Sequence, residues 1–525
     1  MNYVGTARPI HDAKGKATGY TKYAGDLSLP NMAYLCMLHS KIPHGYVKAV
    51  HAEKALEIPG VYGVYHCLNT SERKYNRYRS SFDQAYLANE ERAFNQYVRF
   101  VGDKIGAVAA CDQETAEKAA RLVEVEYEEL PFSIGFDDTL AGKNCLDGET
   151  PVRDEYELDV GEKQGNAEGL IEVCSTMELP RLHHATMETH ACIADYDPYS
   201  DMLTVYCPNQ AVHGIRTVLA DFLEMPESHV RVVKATMGGS FGAKQEWFLE
   251  PVTALVAKKL CRPVKLVYSR GEAMTDTIVR GAMRMSARGY YMPDGEMKEI
   301  YCDVTLDAGA YIGNAGDYVR ALAGKPTRCY RIPYMHYHGQ VISSNSPVSG
   351  AFRSWSAAEE ALMMERQLDA AAEKLGMDRL AIRLKNVARS GEEDKKLHLS
   401  LEDIRIGDAI TLGSEKFGWD KLKAEDAAFN ASQQRYRRGV GIGIGGHGNT
   451  YFPRFNDYGE GSISLNADGS MQANFTLHDH GCGTVTAMRM IAAEVLKVPE
   501  DKIYMTEGDT AVTPIDYGCF ASRTT

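Results

Sequence analysis

Twelve cysteines are scattered along the 525 residues without one C-x-x-C pair, so the ligand spacing of a zinc ribbon or an iron–sulfur cluster is missing from this chain. The apolar runs are all too short to span a membrane, and the opening MNYVGTARPIHDAKGKATGY lacks the apolar core of a secretory signal. No membrane partner and a cytoplasmic location are therefore expected, with the cysteines kept as mainly buried, reduced thiols. Long basic stretches are lacking too. With 58 basic against 71 acidic side chains the net charge is −13, which argues against a nucleic-acid partner. The length calls for two to four domains, each with its own core.

What is present begins with Thr236-Met-Gly-Gly-Ser-Phe-Gly-Ala-Lys-Gln-Glu246, set between HVRVVKAT and WFLEPVTALVAKKL. The pattern reads as strand, tight turn and helix. Gly239, Ser240, Phe241 and Gly242 form a turn whose backbone can bend sharply and press N–H groups against a ligand, next to the free donors of a helix N-terminus. Ala243 and Gln245 stand where a phosphate loop needs Gly and Ser or Thr, so nucleotide hydrolysis does not fit.

Strand-like and helix-like runs alternate from residue 1 to about 140. A polar, Gly-rich segment, 141–170, reads as a linker, and a larger alternation runs from 171 to 434. Within it LTVYC, Pro208-Asn209-Gln210 and AVHGIRTVLADFLEM place Gln210 at a strand-to-helix corner, where α/β folds tend to hold ligands. Ser356-Ala-Ala-Glu359 reads as a capping box for a helix with Met364, Leu368, Ala371 and Leu375 on one face and a stop at Gly376. A further segment restarts near 435. Its GVGIGIGGHGNT reads as a strand rather than a dinucleotide motif, and Gly481-Cys482-Gly483 opens the last helix. His183, His184 and His190 read as structural rather than metal-binding.

In this order the motifs resemble the molybdenum-binding large subunit of the xanthine dehydrogenase and aldehyde oxidase family. KATGYTKYAGDLSLPNMAYLCMLHSKIPHG resembles the start of its hammerhead domain and LHHATMETHACIADYD the start of its first molybdenum domain. MGGSFGAKQE, GAFRSWSAAEEALMMERQLDAAAEKLGMDRLAIRLKN and HGCGTVTAMRMIAAEVLKVPEDKIYMTEGDT follow. The implied fold is a multidomain α+β or α/β chain: a hammerhead-like α/β domain over 1–140, a linker over 141–170, a first molybdopterin-binding domain over 171–434 and the beginning of a second over 435–525.

The resemblance implies that Gln210, Phe241, Arg353 and Ala521 surround a molybdenum held by a pterin dithiolene, without ligating it. It implies that Gly239, Ser240, Phe241, Gly242, Gly481, Cys482, Gly483 and Ser522 contact the pterin, in its plain or cytosine dinucleotide form. Substrate would meet Gln245, Arg280 and Trp355, with Thr450 or Tyr451. Gln245 stands for the family's glutamate, Trp355 for its stacking phenylalanine and Cys482 for a glutamine.

Family members continue past the position of Thr525 to a general-base glutamate, so no catalytic base is expected in this chain: it would lie on another polypeptide, or the chain is a fragment. A partner chain carrying the rest of the second molybdenum domain, an iron–sulfur subunit with [2Fe-2S] clusters and an FAD subunit are the implied partners. Hydroxylation of a purine, hypoxanthine or xanthine, by water-derived oxygen is the first expectation. An aldehyde or a nicotinate-like N-heteroaromatic substrate is the alternative, and a non-catalytic piece that holds the cofactor for a partner chain is a second one.

Overall fold

In the computed structural model, which describes residues 3–78, 87–146, 150–163, 169–432, 435–448 and 457–524, the run KIGAVAA (Lys104–Ala110) is a strand with every residue buried. Small and β-branched side chains let both of its faces be covered. It lies in a seven-stranded sheet ordered Val230–Lys234, Met202–Cys207, Ala191–Asp197, Val264–Val267, Ala33–His39, Lys104–Ala110, Val61–His66. The order crosses the boundary expected near 140. Ala33–His39 pairs parallel with Val264–Val267, Leu35 opposite Leu266, so the first two units share a sheet and one apolar core.

A five-stranded sheet follows, ordered Ile171–Leu179, Ala282–Tyr291, Met297–Gly309, Tyr334–Ser343, Val152–Gly161. Its last strand corrects the linker reading of 141–170. VRDEYELDVG turns Glu155, Glu157 and Asp159 to solvent, and Tyr156, Leu158 and Val160 pack on the core, so composition alone looked like a loop.

Six helices frame the site: α1 (Val212–Leu223), α2 (Glu250–Leu260), α3 (Ala315–Leu322), α4 (Pro326–Cys329), α5 (Ala357–Leu375) and α6 (Thr484–Leu496). Helix α5 buries Met363, Met364, Leu368 and Ala371 against the second sheet and stops at Gly376, φ +65°. The capping box is absent. Ser356 sits at φ +61° with no side-chain cap, because its Oγ accepts from Lys325 Nζ at 2.6 Å and Glu359 is taken by Arg280.

Two further expectations are corrected. Helix α2 starts at Glu250, not at the glycine turn. Residues 439–448 form no strand; a Cβ on Gly446 would meet Cys329 Sγ at 2.7 Å and one on Gly445 would meet Ala361 Cβ at 3.4 Å, so this backbone lies flat against α4 and α5 instead of pairing.

The last unit is a three-stranded sheet, Gly461–Leu465, Met471–Phe475 and Ile503–Glu507, under α6. It grips the first sheet through Arg231 and Asp509 at 2.6 Å and the Thr510 N–H on Val232 O at 3.0 Å. The N-terminal residues join it: the Tyr3 ring enters its core, the Tyr3 N–H donates to Glu494 Oε2 at 2.6 Å and the His11 N–H to Thr486 Oγ1 at 2.9 Å. Five of the twelve cysteines are buried and all are free thiols.

Candidate active site

After the strand Val230–Lys234 the chain enters the glycine turn, which a single carboxylate ties together. Glu188 accepts from the Gly238 N–H at 2.7 Å and from Lys244 Nζ at 2.5 Å. Burial lowers the Lys244 pKa, against the pull of Glu188. Phe241 is held at φ +56°, and a Cβ on Gly242 would lie 2.7 Å from Ala351 O and 2.9 Å from Phe352 Cα. Glycine is required there by the neighbouring chain. The Arg353 N–H closes the contact on Phe241 O at 2.7 Å.

Two neutral histidines brace these loops. His184 Nε2 donates to Ala351 O at 2.8 Å and His190 Nε2 to Ala243 O at 2.9 Å. Burial pushes their pKa values down to about 4 and about 3, so they serve as fixed donors.

Gln210, at the corner before α1, bridges this turn to the C-terminal loop. Its Oε1 accepts from Ser240 Oγ, its Nε2 donates to Cys519 O at 2.5 Å, and its O accepts the Cys519 N–H at 2.8 Å. That loop is locked by Arg523, whose Nε donates to Asp457 at 2.5 Å and Nη1 to Asp516 at 2.7 Å. At the head of α6, Asp479 accepts from Gly481, Gly483 and Val485 N–H at 2.8, 3.3 and 3.2 Å. Burial raises its carboxyl, yet the three donors and Lys234 outweigh it and hold the pKa below the usual value. Asp479 thus already occupies the helix terminus that the sequence offers to a ligand, and its D-x-G-x-G spacing is a signal the sequence reading passed over.

These loops enclose a cavity of about 1170 Å³. Gln210, Phe241, Gly242, Gln245, Arg353, Trp355, Gly481, Cys482, Ala521 and Ser522 all line it. Ser240 and Gly483 are each next to a lining residue without lining the cavity, Gly239 is two positions from Phe241, and Thr450 and Tyr451 lie outside the described residues. Four lining residues that are not glycine, Phe241, Ser354, Ala521 and Ser522, take φ between +50° and +72°. Each such strain is of order 1–3 kcal/mol and persists only where surrounding structure enforces it, as at binding sites. Among the described residues the N–H groups of Gly239–Gly242, Ala521 and Ser522 donate to no protein acceptor. Bent loops with free donors around a cavity of this size fit a large anionic cofactor.

Arg280 is the main correction. It is buried behind Phe352, with its guanidinium 4.3 Å from that ring, its Nη1 on Glu359 and its Nη2 on Arg353 O at 2.7 Å. It supports the wall instead of facing the cavity. The arginine that does line the cavity is Arg320 on α3, together with Lys325 and Arg328 around α4 and Lys396. The sequence signal was local, three cations inside RALAGKPTR, and a charge census over the whole chain hid it.

Residues 152–387 and 412–525 each match a family described as "Molybdopterin cofactor-binding domain", and residues 18–131 match "Aldehyde oxidase and xanthine dehydrogenase, a/b hammerhead domain". The chain is 30% identical to the xanthine dehydrogenase molybdenum-binding subunit of Escherichia coli O157:H7, over 98% of this chain and 68% of that protein. It is 29% identical to the carbon monoxide dehydrogenase large chain of Hydrogenophaga pseudoflava, over 97% and 67%. The solved aldehyde oxidoreductase of Desulfovibrio gigas superposes with a TM-score of 0.88 at 25% identity, over 99% of this chain and 58% of the other.

Proposed function

Since the chain belongs to the xanthine dehydrogenase and aldehyde oxidase family as a molybdenum-binding large subunit, we propose that its cavity hydroxylates an electron-poor ring carbon of an N-heteroaromatic substrate, a purine first, with oxygen derived from water. The molybdenum–pterin cofactor supplies the oxygen transfer and the two-electron oxidation when bound. The residues of this chain supply its surroundings. The free N–H groups of Phe241, Gly242, Ala521 and Ser522 would bind the cofactor, and Gln210, tied to both loops, sets the distance between them.

Gln245 offers one donor and one acceptor to ring nitrogens or carbonyls, and Trp355 offers an aromatic surface. Arg320 takes the role first expected of Arg280. A fixed cation facing the ring stabilises the negative charge that builds up as oxygen attacks, which favours the transition state over the bound substrate.

No Asp or Glu is among the described residues that line the cavity. As the family likeness implies, we place the proton acceptor on a glutamate outside these residues and route electrons to [2Fe-2S] and FAD subunits in the cytoplasm. The observation that carries the reading is the convergence of Gln210, Gly242, Arg353 and Ala521 on one cavity walled by strained backbone.

The test is purification with the partner chains, metal and pterin analysis, and turnover with hypoxanthine, xanthine, nicotinate and an aromatic aldehyde. Bound molybdenum with turnover of a ring substrate is expected, and Gln245→Glu should shift the preference among purines by exchanging a neutral group for an anion. Molybdenum-loaded enzyme that oxidises only the aldehyde would replace the ring reading with the aldehyde one.

A further inference from the structure

The cavity has five cationic side chains among its described lining residues and no carboxylate. Arg353 belongs to the wall beside the glycine turn; the other four, Arg320, Lys325, Arg328 and Lys396, come from α3, α4 and the loop after Asp394. Arg320 is paired with Asp154 through both nitrogens, at 2.7 and 2.8 Å, and Arg328 with Asp394 at 2.9 Å. Lys396 Nζ donates to Arg320 O at 2.8 Å.

Lys325 differs from these. Its ammonium is held by two neutral acceptors, Trp355 O at 2.5 Å and Ser356 Oγ at 2.6 Å, and among the described residues no carboxylate forms an ion pair with it. An ammonium has three N–H donors, so these two bonds fix the side chain and leave one donor over. Holding it this way requires Ser356 in a left-handed conformation, at the expense of a helix cap. The residue is 8% exposed. Its pKa, lowered by burial to about 8 with Glu360 and Glu359 opposing that shift, still leaves a cation at neutral pH. Glu360 and Glu359 attract it through space without pairing with it among the described residues, so the ammonium at the cavity wall keeps one donor for an anion that arrives there.

We propose that Lys325 positions the substrate by binding a negatively charged substituent, a carboxylate, on its aromatic ring. The idea rests on the hydroxylase function proposed above and moves its first choice from a purine, which carries no carboxylate, to a ring acid of the nicotinate type: the ring that lies between Gln245 and Trp355 carries an acid group directed toward α4. A phosphate of the pterin is the other source of the same charge. It is disfavoured because the lysine stands on the α3–α4 side, on the backbone of Trp355, whereas the free N–H groups lie on the glycine turn and the 521–522 loop.

The test uses the partner-assembled, cofactor-loaded protein as wild type, Lys325→Met and Lys325→Arg, with melting temperature as the check on folding. Molybdenum and pterin content are measured first. Dissociation constants of nicotinate and its uncharged counterpart nicotinamide follow by calorimetry, then KM and kcat for the acid. Wild type should bind the acid more tightly than the amide. Lys325→Met should weaken nicotinate by roughly 30-fold, on the scale of a lost buried charge pair, with under threefold change for nicotinamide, unchanged cofactor content and a loss mainly in KM. Lys325→Arg should restore most of the affinity.

Equal weakening of acid and amide, or a wild type that does not prefer the acid, would overturn the proposal. So would lost molybdenum and pterin with unchanged ligand affinity, which would assign the lysine to the cofactor's phosphate. A wild type that holds no molybdenum yet still prefers the acid would overturn the hydroxylase reading and leave the carboxylate site standing.

Discussion

At Asp479 one side chain does the work of an N-terminal cap and of a loop clasp, and the consequence is measurable. Asp479→Ala removes three acceptor contacts at the head of α6, so a loss of about 1–2 kcal/mol of stability is expected in chemical denaturation. Its depressed pKa gives the sign of the pH effect. The carboxylate contributes fully above its unfolded pKa, near 3.9, and the contribution disappears as pH falls through the lower folded value. The wild-type and alanine proteins should therefore converge in stability in acid; a gap that widens there would refute the assignment.

Arg280 and Arg320 separate in the same manner. Arg280→Met strands the buried Glu359, which costs about 3–5 kcal/mol, so low yield and a lowered melting temperature are expected. Arg320 is half exposed, and Arg320→Met should leave the fold intact while lowering turnover by about 2–4 kcal/mol in activation free energy. Steady-state kinetics beside thermal melts distinguish the two. At Gly242 a new Cβ meets the 351–352 backbone instead of a ligand, so any cofactor lost in Gly242→Val follows from a displaced wall.

Among the elements, those whose signals are local were legible in the sequence. The corner at Gln210 and the stop of α5 at Gly376 depend on residues within a few positions, as did the face of α5 buried on the second sheet. The capping box failed because Ser356 and Glu359 are claimed by Lys325 and Arg280, partners 31 and 79 positions away in the chain. The same cause hid the difference between the two arginines, since which cation faces a cavity depends on how α3 and α5 pack. The strand Val152–Gly161 was missed because one acidic, solvent-facing side dominated its composition.

The sheet shared by the first two units leads to a further expectation. Leu35 is fully buried in the strand that joins them, so Leu35→Ala should remove about 2–5 kcal/mol and lower one cooperative transition rather than one of two. Separate melting of the two units in calorimetry would contradict this.

For the whole molecule, the order in which the chain is made matters. The Tyr3 N–H and its acceptor Glu494 are 491 positions apart, and the Tyr3 ring completes the core of the last unit. At elongation rates of roughly 5–20 residues per second, the segment around Tyr3 waits about 25–100 s for its site to be synthesised. During that interval the rest of the chain can fold while this short segment stays open to proteases and chaperones. A bulky group placed just before Tyr3 would therefore disturb a unit whose strands are synthesised hundreds of positions later.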